Sequence, residues 1–290
     1  MRVLILGGDG MLGHRLLRQF APRHETRVTL RQPLEAYRQF GMFDRHNAYG
    51  GVDVRDVSTV TRVSSDFAPD AIINATGMIP QREEAKNGVL SMEVNALFPH
   101  LLARVCRKLG AQLLHLSTDC VFSGNRGNYS EGDHPDPVDV YGLSKLIGEA
   151  EGRGVLTLRT SMIGPELHRK TGLVEWFLAQ KKDKPVFGWR RAIFSGFTTA
   201  ELARIIETLL TQHPQAAGLY HASSAAVSKF DLLCALERKI RLGIEIMPSD
   251  EPVCDRSLDS SRFRTAFGYA PPSWDAMLDE LAADLRKTSA

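Results

Sequence analysis

The chain begins with an apolar, strand-like run, "RVLIL", which is followed at once by the glycine-rich stretch "GGDGMLG" at positions 7–13. The residues after it, "HRLLRQF", place apolar side chains on one face of a helix. A strand, a glycine loop and a helix in this order are typical of proteins that bind a dinucleotide pyrophosphate at a helix N-terminus. The loop can be read as G-x-G-x-x-G from Gly8 or as G-x-x-G-x-x-G from Gly7, and both frames share Gly10 and Gly13.

Apolar, β-prone runs alternate with helical patterns through the first half of the chain. The patterns predict helices at 11–20, 57–67, about 89–109 and 141–151, and strands at 2–6, 26–30, 51–56, 70–76, 111–118 and 154–160. Strands buried on both faces and joined by helices indicate a parallel sheet covered by helices. We therefore predict an α/β fold with a doubly wound parallel sheet, the Rossmann arrangement.

The pattern loosens after Gly164. Helical patterns return at 173–180, 199–210, 229–240 and 274–287, separated by loop-like stretches. We predict a dinucleotide-binding domain over residues 1–165, which carries the catalytic residues, and a smaller substrate-binding lobe over 166–290, packed on the first.

Composition excludes several classes of partner. The 36 basic and 34 acidic residues give a net charge of +2, which offers no reason to expect nucleic acid or an acidic membrane surface. No apolar stretch approaches the roughly 20 residues that a membrane-spanning helix needs, and the short run before the glycines is no signal peptide. The four cysteines lie far apart without a C-x-x-C pair, which favours a reduced, cytoplasmic protein.

The end of the second strand bears on the choice of cofactor. An acidic residue there would bind the ribose 2′-hydroxyl of NAD, but the sequence reads "VTLRQP". Arg31 could instead face a 2′-phosphate, so the sequence favours NADP, with NAD as the alternative. Asp9, inside the glycine loop, would repel a pyrophosphate, and we expect it to turn outward or to bond the local backbone.

Three residues can form a proton-transfer site. Thr118 ends the fifth strand, and Tyr141 and Lys145 are four apart on one face of the following helix. A neighbouring ammonium lowers the pKa of a phenol, so that Tyr141 can protonate a developing alkoxide while Thr118 orients the carbonyl. A Y-x-x-x-K pair alone is common on helix surfaces, and the hypothesis rests on its order after the glycine loop and "LSTD".

"DHPDPVD", at positions 133–139, gathers three aspartates and a histidine. A metal site would use such residues, but turn chemistry around two prolines favours a loop, and we predict no metal site.

The stretches "GGDGMLG", "LSTDCVFSG", "VYGLSKLIGEAE" and "LRTSMIGP" together resemble the extended short-chain dehydrogenase/reductases. Within that family the chain looks most like dTDP-4-dehydrorhamnose reductases, and the resemblance runs through "AGLYHAS" and "LDSSRF" near the C-terminus. It selects the frame Gly7, Gly10, Gly13 and makes Gly8 a spacer.

The resemblance implies a catalytic triad of Thr118, Tyr141 and Lys145, with Lys145 also holding the nicotinamide ribose. It implies that the cofactor is lined by residues from the glycine loop, the third strand region, the end of the fourth strand and the long helix. These residues, with Arg31, Tyr141 and Lys145 besides, are Gly7, Gly10, Met11, Leu12, Gly13, Asp53, Val54, Asn74, Ala75, Thr76 and Asn95.

The chain departs from the family pattern near the expected sugar pocket. It has Cys120 where "STDYVF" has a tyrosine, Met162 where "RTSW" has a tryptophan, and "AIFSGFTT" in place of "DQxGxPT". Cys120 and Met162 are candidate substrate contacts, as are Trp189, which could stack on a sugar or base, and Arg190 and Arg191, which could meet a diphosphate.

The resemblance therefore implies NAD(P)H-dependent reduction of the 4-keto group of a nucleotide-linked 4-keto-6-deoxy sugar, in nucleotide-sugar and surface polysaccharide biosynthesis. Two alternatives stay open. One is an epimerase or dehydratase with tightly bound NAD(P), and the other is a non-catalytic regulatory subunit of the same fold. The resemblance also allows a homodimer.

Overall fold

The computed structural model describes residues 1–79 and 87–288 of the chain. Its α-helices are α1 (Gly13–Phe20), α2 (Val57–Phe67), α3 (Gly88–Ser91), α4 (Phe98–Leu109), α5 (Val140–Ile147), α6 (Leu173–Leu178), α7 (Thr199–Gln212), α8 (Lys229–Ile240), α9 (Ser261–Phe267) and α10 (Trp274–Thr288). Its strands are β1 (Arg2–Leu6), β2 (Glu25–Thr29), β3 (Ala48–Tyr49), β4 (Ala71–Asn74), β5 (Gln112–Thr118), β6 (Val155–Thr160), β7 (Met162–Ile163), β8 (Val186–Trp189), β9 (Ala192–Phe194), β10 (Phe197–Thr198), β11 (Gly218–His221), β12 (Val227–Ser228), β13 (Ile246–Ser249) and β14 (Cys254–Asp255).

Seven strands form the main sheet, in the order β3-β2-β1-β4-β5-β6-β11. The pairs β3–β2, β2–β1, β1–β4 and β4–β5 are all parallel. Every residue of β4 and β5 is buried, as expected for strands covered on both faces. The order 3-2-1-4-5-6 is that of the Rossmann arrangement, so the predicted fold class is confirmed.

The third strand is not where the sequence pattern puts it. We predict it at 51–56, but β3 is Ala48–Tyr49, and 51–56 form a turn that leads into α2. Gly51 has a positive φ of 71°, and Asp56 uses its side chain to cap α2. Val52 is buried against the core as a strand residue would be, which explains why the alternating pattern misleads.

The chain forms two compact units, each made of three segments. The first comprises Met1–Ser117, Asp139–Leu158 and Ala203–Leu219. Its core lies between sheet and helices and is formed by apolar residues of β1, β4, β5, α2 and α4, among them Leu4, Ile72, Phe67 and Leu102. It contains the glycine loop, most of the main sheet and α5.

The second unit comprises Thr118–Val138, Arg159–Leu202 and Tyr220–Ala290. Its core is formed by α6, α8, α10 and nearby strands, with Val174, Phe177, Leu236 and Leu278 buried. Small sheets pair β10 with β7, β13 with β8, and β12 and β14 with β9. Both units contain residues from either side of position 165, and the division into cofactor and substrate lobes stays a prediction.

The helix predictions hold where periodicity is strong. α2 and α8 have the predicted bounds of 57–67 and 229–240. The long helix predicted at about 89–109 is interrupted by a π-helical segment at Met92–Leu97, between α3 and α4. None of the described helices combines the length and the apolar character needed to cross a membrane.

Candidate active site

The glycine loop is hydrogen-bonded to the end of β2 and to itself. Gly7 follows β1 with a φ of +85°, a value that favours glycine. The backbone N–H of Gly8 donates to the carbonyl of Thr29 at the end of β2 (2.9 Å), and that of Gly10 donates to the carbonyl of Gly7 (3.1 Å). The loop is thus a tight turn, and α1 begins at Gly13 directly after it.

Each glycine of the loop meets a different constraint. A Cβ atom at Gly13 would lie 2.0 Å from the carbonyl oxygen of Gly7, and one at Gly8 would lie 2.5 Å from Cβ of Val28. At Gly10 the single neighbour within 4 Å is the Gly7 carbonyl oxygen, at 3.3 Å. Gly8 is therefore needed for packing and is more than a spacer, whereas Gly10 leaves one side of the loop open for a ligand. This arrangement fits a pyrophosphate bound at the N-terminus of α1.

Asp9 is buried, with 8% of its surface exposed, so it does not turn outward to solvent. Whether its carboxylate turns away from a bound pyrophosphate or bonds the local backbone stays a prediction. Of the two loop residues that follow Gly10, Leu12 is buried in the core and Met11 is half-buried.

Two predicted cofactor residues, Arg31 after β2 and Asp53 after β3, lie near enough for their charges to interact. Arg31, two residues after β2, is exposed. The Arg55 guanidinium binds the Asp53 carboxylate through Nε (3.0 Å) and Nη2 (2.5 Å), and these hydrogen bonds, aided by the charge of Arg31, lower the pKa of Asp53. Val54, between Asp53 and Arg55, packs against the core of the first unit.

The segment after β4 lies against the glycine loop. The Asn74 Oδ1 atom accepts hydrogen bonds from Oγ1 of Thr76 (2.6 Å) and from its backbone N–H (3.2 Å). The backbone N–H of Ala75 donates to the carbonyl of Leu6, 3.2 Å away at the end of β1. Thr76 Cγ2 would be 3.1 Å from a Cβ at Gly7, a tight contact that adds to the positive φ in favouring glycine there.

His115 of β5 fixes the orientation of that segment. Because the Asn74 carbonyl oxygen is occupied by Thr76, the Asn74 amide donates to His115 Nδ1 (3.1 Å), which places the imidazole proton on Nε2. Burial, with a smaller effect of Lys145, holds the pKa of His115 well below its usual value, so the ring is neutral. Its Nε2 has no hydrogen-bond partner within the described part of the chain.

Asn95 connects two parts of the predicted site from within the π-helical segment. Its side chain is buried and bonds both the N–H and the carbonyl of Met78, each at 2.8 Å. The second amide hydrogen goes to Oγ of Ser144 on α5 (3.1 Å). Both amide hydrogens are therefore used within the protein, and Asn95 is built to position the chain after β4 against α5.

α5 carries Tyr141 and Lys145, and Asp139 caps its N-terminus by accepting from the N–H of Gly142 (2.7 Å). The two side chains are four residues apart, so they project from one face. Tyr141 is half-buried, and Lys145 is buried, with its ammonium donating to the carbonyl of Leu116 on β5. Burial lowers the pKa of Lys145 to about 8, an effect that the charge of Glu149 opposes.

Thr118 is the last residue of β5, two positions beyond the carbonyl that holds Lys145, and it belongs to the second compact unit. Its Oγ1 accepts from the N–H of Cys120 and donates to the Asp119 carboxyl, both at 3.2 Å. Burial raises the pKa of Asp119, although Arg256 and three hydrogen bonds act against it. The hydroxyl is thus oriented by the turn that follows the strand.

Sequence reasoning did not single out Arg256. It donates through Nε to the carbonyl of Phe122 (2.9 Å) and through Nη1 to Sγ of Cys120 (3.4 Å). Burial raises the pKa of the Cys120 thiol to about 12, so Cys120 is neutral. The signal in the sequence is a lone arginine in "CDRSLD", just before the stretch that carries the resemblance, and it has no period or spacing to mark it.

The remaining predicted substrate residues lie at the surface of the second unit. Met162 in β7 is partly exposed, and Trp189 is 37% exposed with the Lys229 ammonium 5.0 Å from its ring centre. Arg190 makes a two-pronged ion pair with Asp250 (2.9 and 2.8 Å) in which both side chains are exposed. Arg191 is exposed as well. A phosphate bound by Arg190 would compete with this carboxylate.

The doubly wound sheet, the glycine loop and the Tyr–Lys pair on α5 define an extended short-chain dehydrogenase/reductase. The chain belongs to the family described as the RmlD substrate binding domain, whose model matches residues 1–287.

Curated relatives with different names match the chain. The dTDP-4-dehydrorhamnose reductase of Escherichia coli K12 is 25% identical, with 100% of each chain covered. The methionine adenosyltransferase 2 subunit beta of Bos taurus is 24% identical, covering 91% of this chain and 82% of that protein.

Solved structures share the fold. A hypothetical dTDP-4-dehydrorhamnose reductase from Sulfolobus tokodaii is 29% identical, with a TM-score of 0.77 over 96% of this chain and 99% of that one. The Bacillus anthracis dTDP-4-dehydrorhamnose reductase in complex with NADP has a TM-score of 0.80 at 21% identity, covering 98% and 99%.

Proposed function

We propose that the chain is an NAD(P)H-dependent oxidoreductase that reduces the 4-keto group of a nucleotide-linked 4-keto-6-deoxy sugar, in nucleotide-sugar biosynthesis. The observation that carries the proposal is Lys145, a buried ammonium held at the carboxyl end of β5, four residues from Tyr141 on α5. The full-length family match and the reductases among the relatives support the same activity.

The cofactor would bind along the edge formed by the carboxyl ends of β1, β2 and β4. Gly7, Gly10 and Gly13 would hold the pyrophosphate, Arg31 and Asp53 the adenosine end, and Asn74–Thr76 the segment beyond it. NADP is favoured by Arg31 and by the NADP found in the Bacillus anthracis structure, and NAD is the alternative. When bound, the nicotinamide supplies the hydride that reduces the sugar carbonyl.

The residues of the chain would supply the proton and the orientation. Tyr141 donates its phenolic proton to the oxygen at C4 as negative charge develops there. Lys145 stabilises the resulting phenolate by its positive charge and binds the nicotinamide ribose. Thr118, whose hydroxyl is fixed by the turn at Asp119 and Cys120, orients the carbonyl.

Tyr141→Phe tests this assignment. We expect the rate of NADPH oxidation with a 4-keto sugar nucleotide to fall by about 10²–10⁴-fold, because the proton donor is lost. The dissociation constant for NADPH, measured by fluorescence titration, should stay the same. Tyr220→Phe, which removes a hydroxyl in the second unit, is the matched control. An unchanged rate in Tyr141→Phe would end the triad assignment.

A non-catalytic subunit is the second candidate, because a methionine adenosyltransferase subunit matches most of the chain. It predicts co-purification with a second enzyme and no reductase activity on any sugar tested. An epimerase or dehydratase predicts protein that retains NAD(P) on purification and turns over without added NADPH. Analysis of the sugar product by NMR, with and without added NADPH, separates all three.

Two narrower expectations accompany the proposal. A cytoplasmic location stays a prediction from the scattered cysteines.

A homodimer is supported by an apolar stripe on α5, where Val140, Leu143 and Ile147 are 50%, 44% and 46% exposed. Val89 and Leu97, on the neighbouring helical segment, are 65% and 56% exposed. We propose that a second copy of the chain covers this stripe.

A further inference from the structure

Ser117 and Glu149 form a hydrogen bond beside the Lys145 ammonium. The Ser117 hydroxyl is buried on β5 and donates to Oε1 of Glu149, 2.7 Å away. Ser117 directly follows Leu116, whose carbonyl accepts the Lys145 ammonium. Strand β5 therefore holds the lysine and the glutamate at adjacent residues.

The backbone also directs Glu149 toward Lys145. The two residues are four apart, and the helical turn continues past α5, since the N–H of Gly148 donates to the carbonyl of Ser144 (3.1 Å). The N–H of Glu149 donates to the carbonyl of Leu146 (3.2 Å). This turn leads Glu149 back toward β5, where Ser117 holds its carboxylate at the residue next to the one that holds the Lys145 ammonium.

In the described part of the chain, Glu149 is the group whose charge favours the Lys145 ammonium. Tyr141 presents a phenol from α5, and His115 presents a neutral imidazole from β5. His100 on α4 bonds the carbonyl oxygen of Ile147 through Nε2 (2.7 Å), and its charge contributes to the lowered pKa of His115. Glu149 is thus the group that offsets the loss of hydration of the buried ammonium.

We propose that Glu149 is a positioning residue for Lys145, whose carboxylate, held by Ser117, keeps the buried ammonium charged and directed at β5. The part that Lys145 plays in catalysis rests on the proposed function, whereas the effect of Glu149 on the ammonium does not. The burial that lowers the pKa of Lys145 to about 8 would act unopposed without Glu149, and the pKa would fall further.

The sign of the pH effect follows from this. Rising pH removes the Lys145 proton, so the charged form is lost as pH passes about 8 in the native chain. Without the carboxylate the same loss occurs at lower pH. A neutral amine does not stabilise a phenolate, so the alkaline limb of kcat/KM for NADPH should move to lower pH as well.

The test is a ¹⁵N and ¹³C NMR titration of lysine side chains in the cofactor-free protein, with Lys145 identified by the signal that Lys145→Arg removes. We expect a midpoint near 8 for the native chain. Glu149→Gln should lower it by about half a pH unit or more, a roughly threefold change in the proton-binding constant. Ser117→Ala should lower it by less, because the carboxylate stays but loses its orientation.

Glu151→Gln is the matched control, because it removes the same charge from an exposed position two residues further on. A Lys145 midpoint in Glu149→Gln equal to that of Glu151→Gln would overturn the proposal. If Glu149→Gln does not fold, Ser117→Ala decides in its place, and an unchanged midpoint overturns the proposal. A shifted midpoint in a protein without reductase activity would support Glu149 and reject the proposed function.

Discussion

The glycines of the loop differ in their steric surroundings, although the G-x-x-G-x-x-G motif does not distinguish between them. Gly13→Ala would place a Cβ 2.0 Å from the Gly7 carbonyl oxygen, so backbone must move. Gly10→Ala would meet that oxygen at 3.3 Å and otherwise point into open space. The first position therefore limits folding, and the second limits the approach of a ligand.

We expect Gly13→Ala to lower the free energy of unfolding by about 1–3 kcal/mol or more, measured by urea denaturation. Gly10→Ala should unfold nearly as the native chain does but bind NADPH more weakly, because we propose that the pyrophosphate approaches the side of the loop where its methyl group would lie. Gly132→Ala, whose Cβ would meet a single atom at 3.8 Å, should change neither property. Native NADPH affinity in Gly10→Ala would contradict this reading of the loop.

The sequence predicts single residues well where one interaction dominates. The glycine spacing identifies the loop, and Tyr141 and Lys145 have the helical spacing that α5 gives them. Gly8 and Arg256 depend on contacts with residues far away in the chain, Val28 in one case and Cys120 and Phe122 in the other. Such partners are set by tertiary packing, which no local pattern records.

Among the elements, the π-helical segment at Met92–Leu97 does most to organise the predicted site. It places Asn95 between Met78 and Ser144, and Gly148, just after α5, packs closely on it, since a Cβ there would lie 1.8 Å from the carbonyl oxygen of Asn95. π-helical turns recur at functional sites for this reason, because one extra residue redirects a side chain.

Asn95→Leu should therefore destabilise the protein. It leaves the N–H and carbonyl of Met78 buried without partners, and each such group costs about 1–3 kcal/mol. Thermal and urea unfolding measure the loss. Met92→Ala, at an exposed position of the same segment, is the control and should change stability little. Equal stability of the two variants would show that Asn95 is not the connection we describe.

Helices in which the apolar repeat is sustained over several turns are predictable from the sequence, whereas strands and helices of a few residues are not. α2 and α8 begin and end at the predicted residues. β3 has two residues, and the strands β7–β10 and β12–β14 have two to four, too few for an alternating pattern. α9, seven residues long, was not predicted either. These elements owe their existence to the packing around them.

At the scale of the whole molecule, the apolar stripe on α5 predicts self-association. Leu143→Glu places a charge in the centre of the stripe, so the dimer should dissociate to monomers, as measured by size-exclusion chromatography with light scattering. Phe187→Glu, which replaces an exposed aromatic residue on β8, should leave the dimer intact. A native chain that is monomeric at all concentrations would contradict the prediction.

The fold class follows from the order of the strands and helices and is shared with relatives at 25% identity or less. The identity of the sugar does not follow from the fold. The candidate substrate contacts Cys120 and Met162 depart from the family pattern, and Arg256 adds a charge beside Cys120. The chemistry is thus better defined by the residues than the substrate is.

The most direct test of the central claim follows the hydride. NADPH carrying deuterium at the transferred position of the nicotinamide is incubated with the protein and a set of 4-keto-6-deoxy sugar nucleotides, beginning with dTDP-4-dehydrorhamnose, and the products are analysed by NMR and mass spectrometry. We predict one deuterium at C4 of the sugar for each NADPH oxidised. Product without deuterium, or no oxidation of NADPH with any 4-keto sugar, would contradict the account.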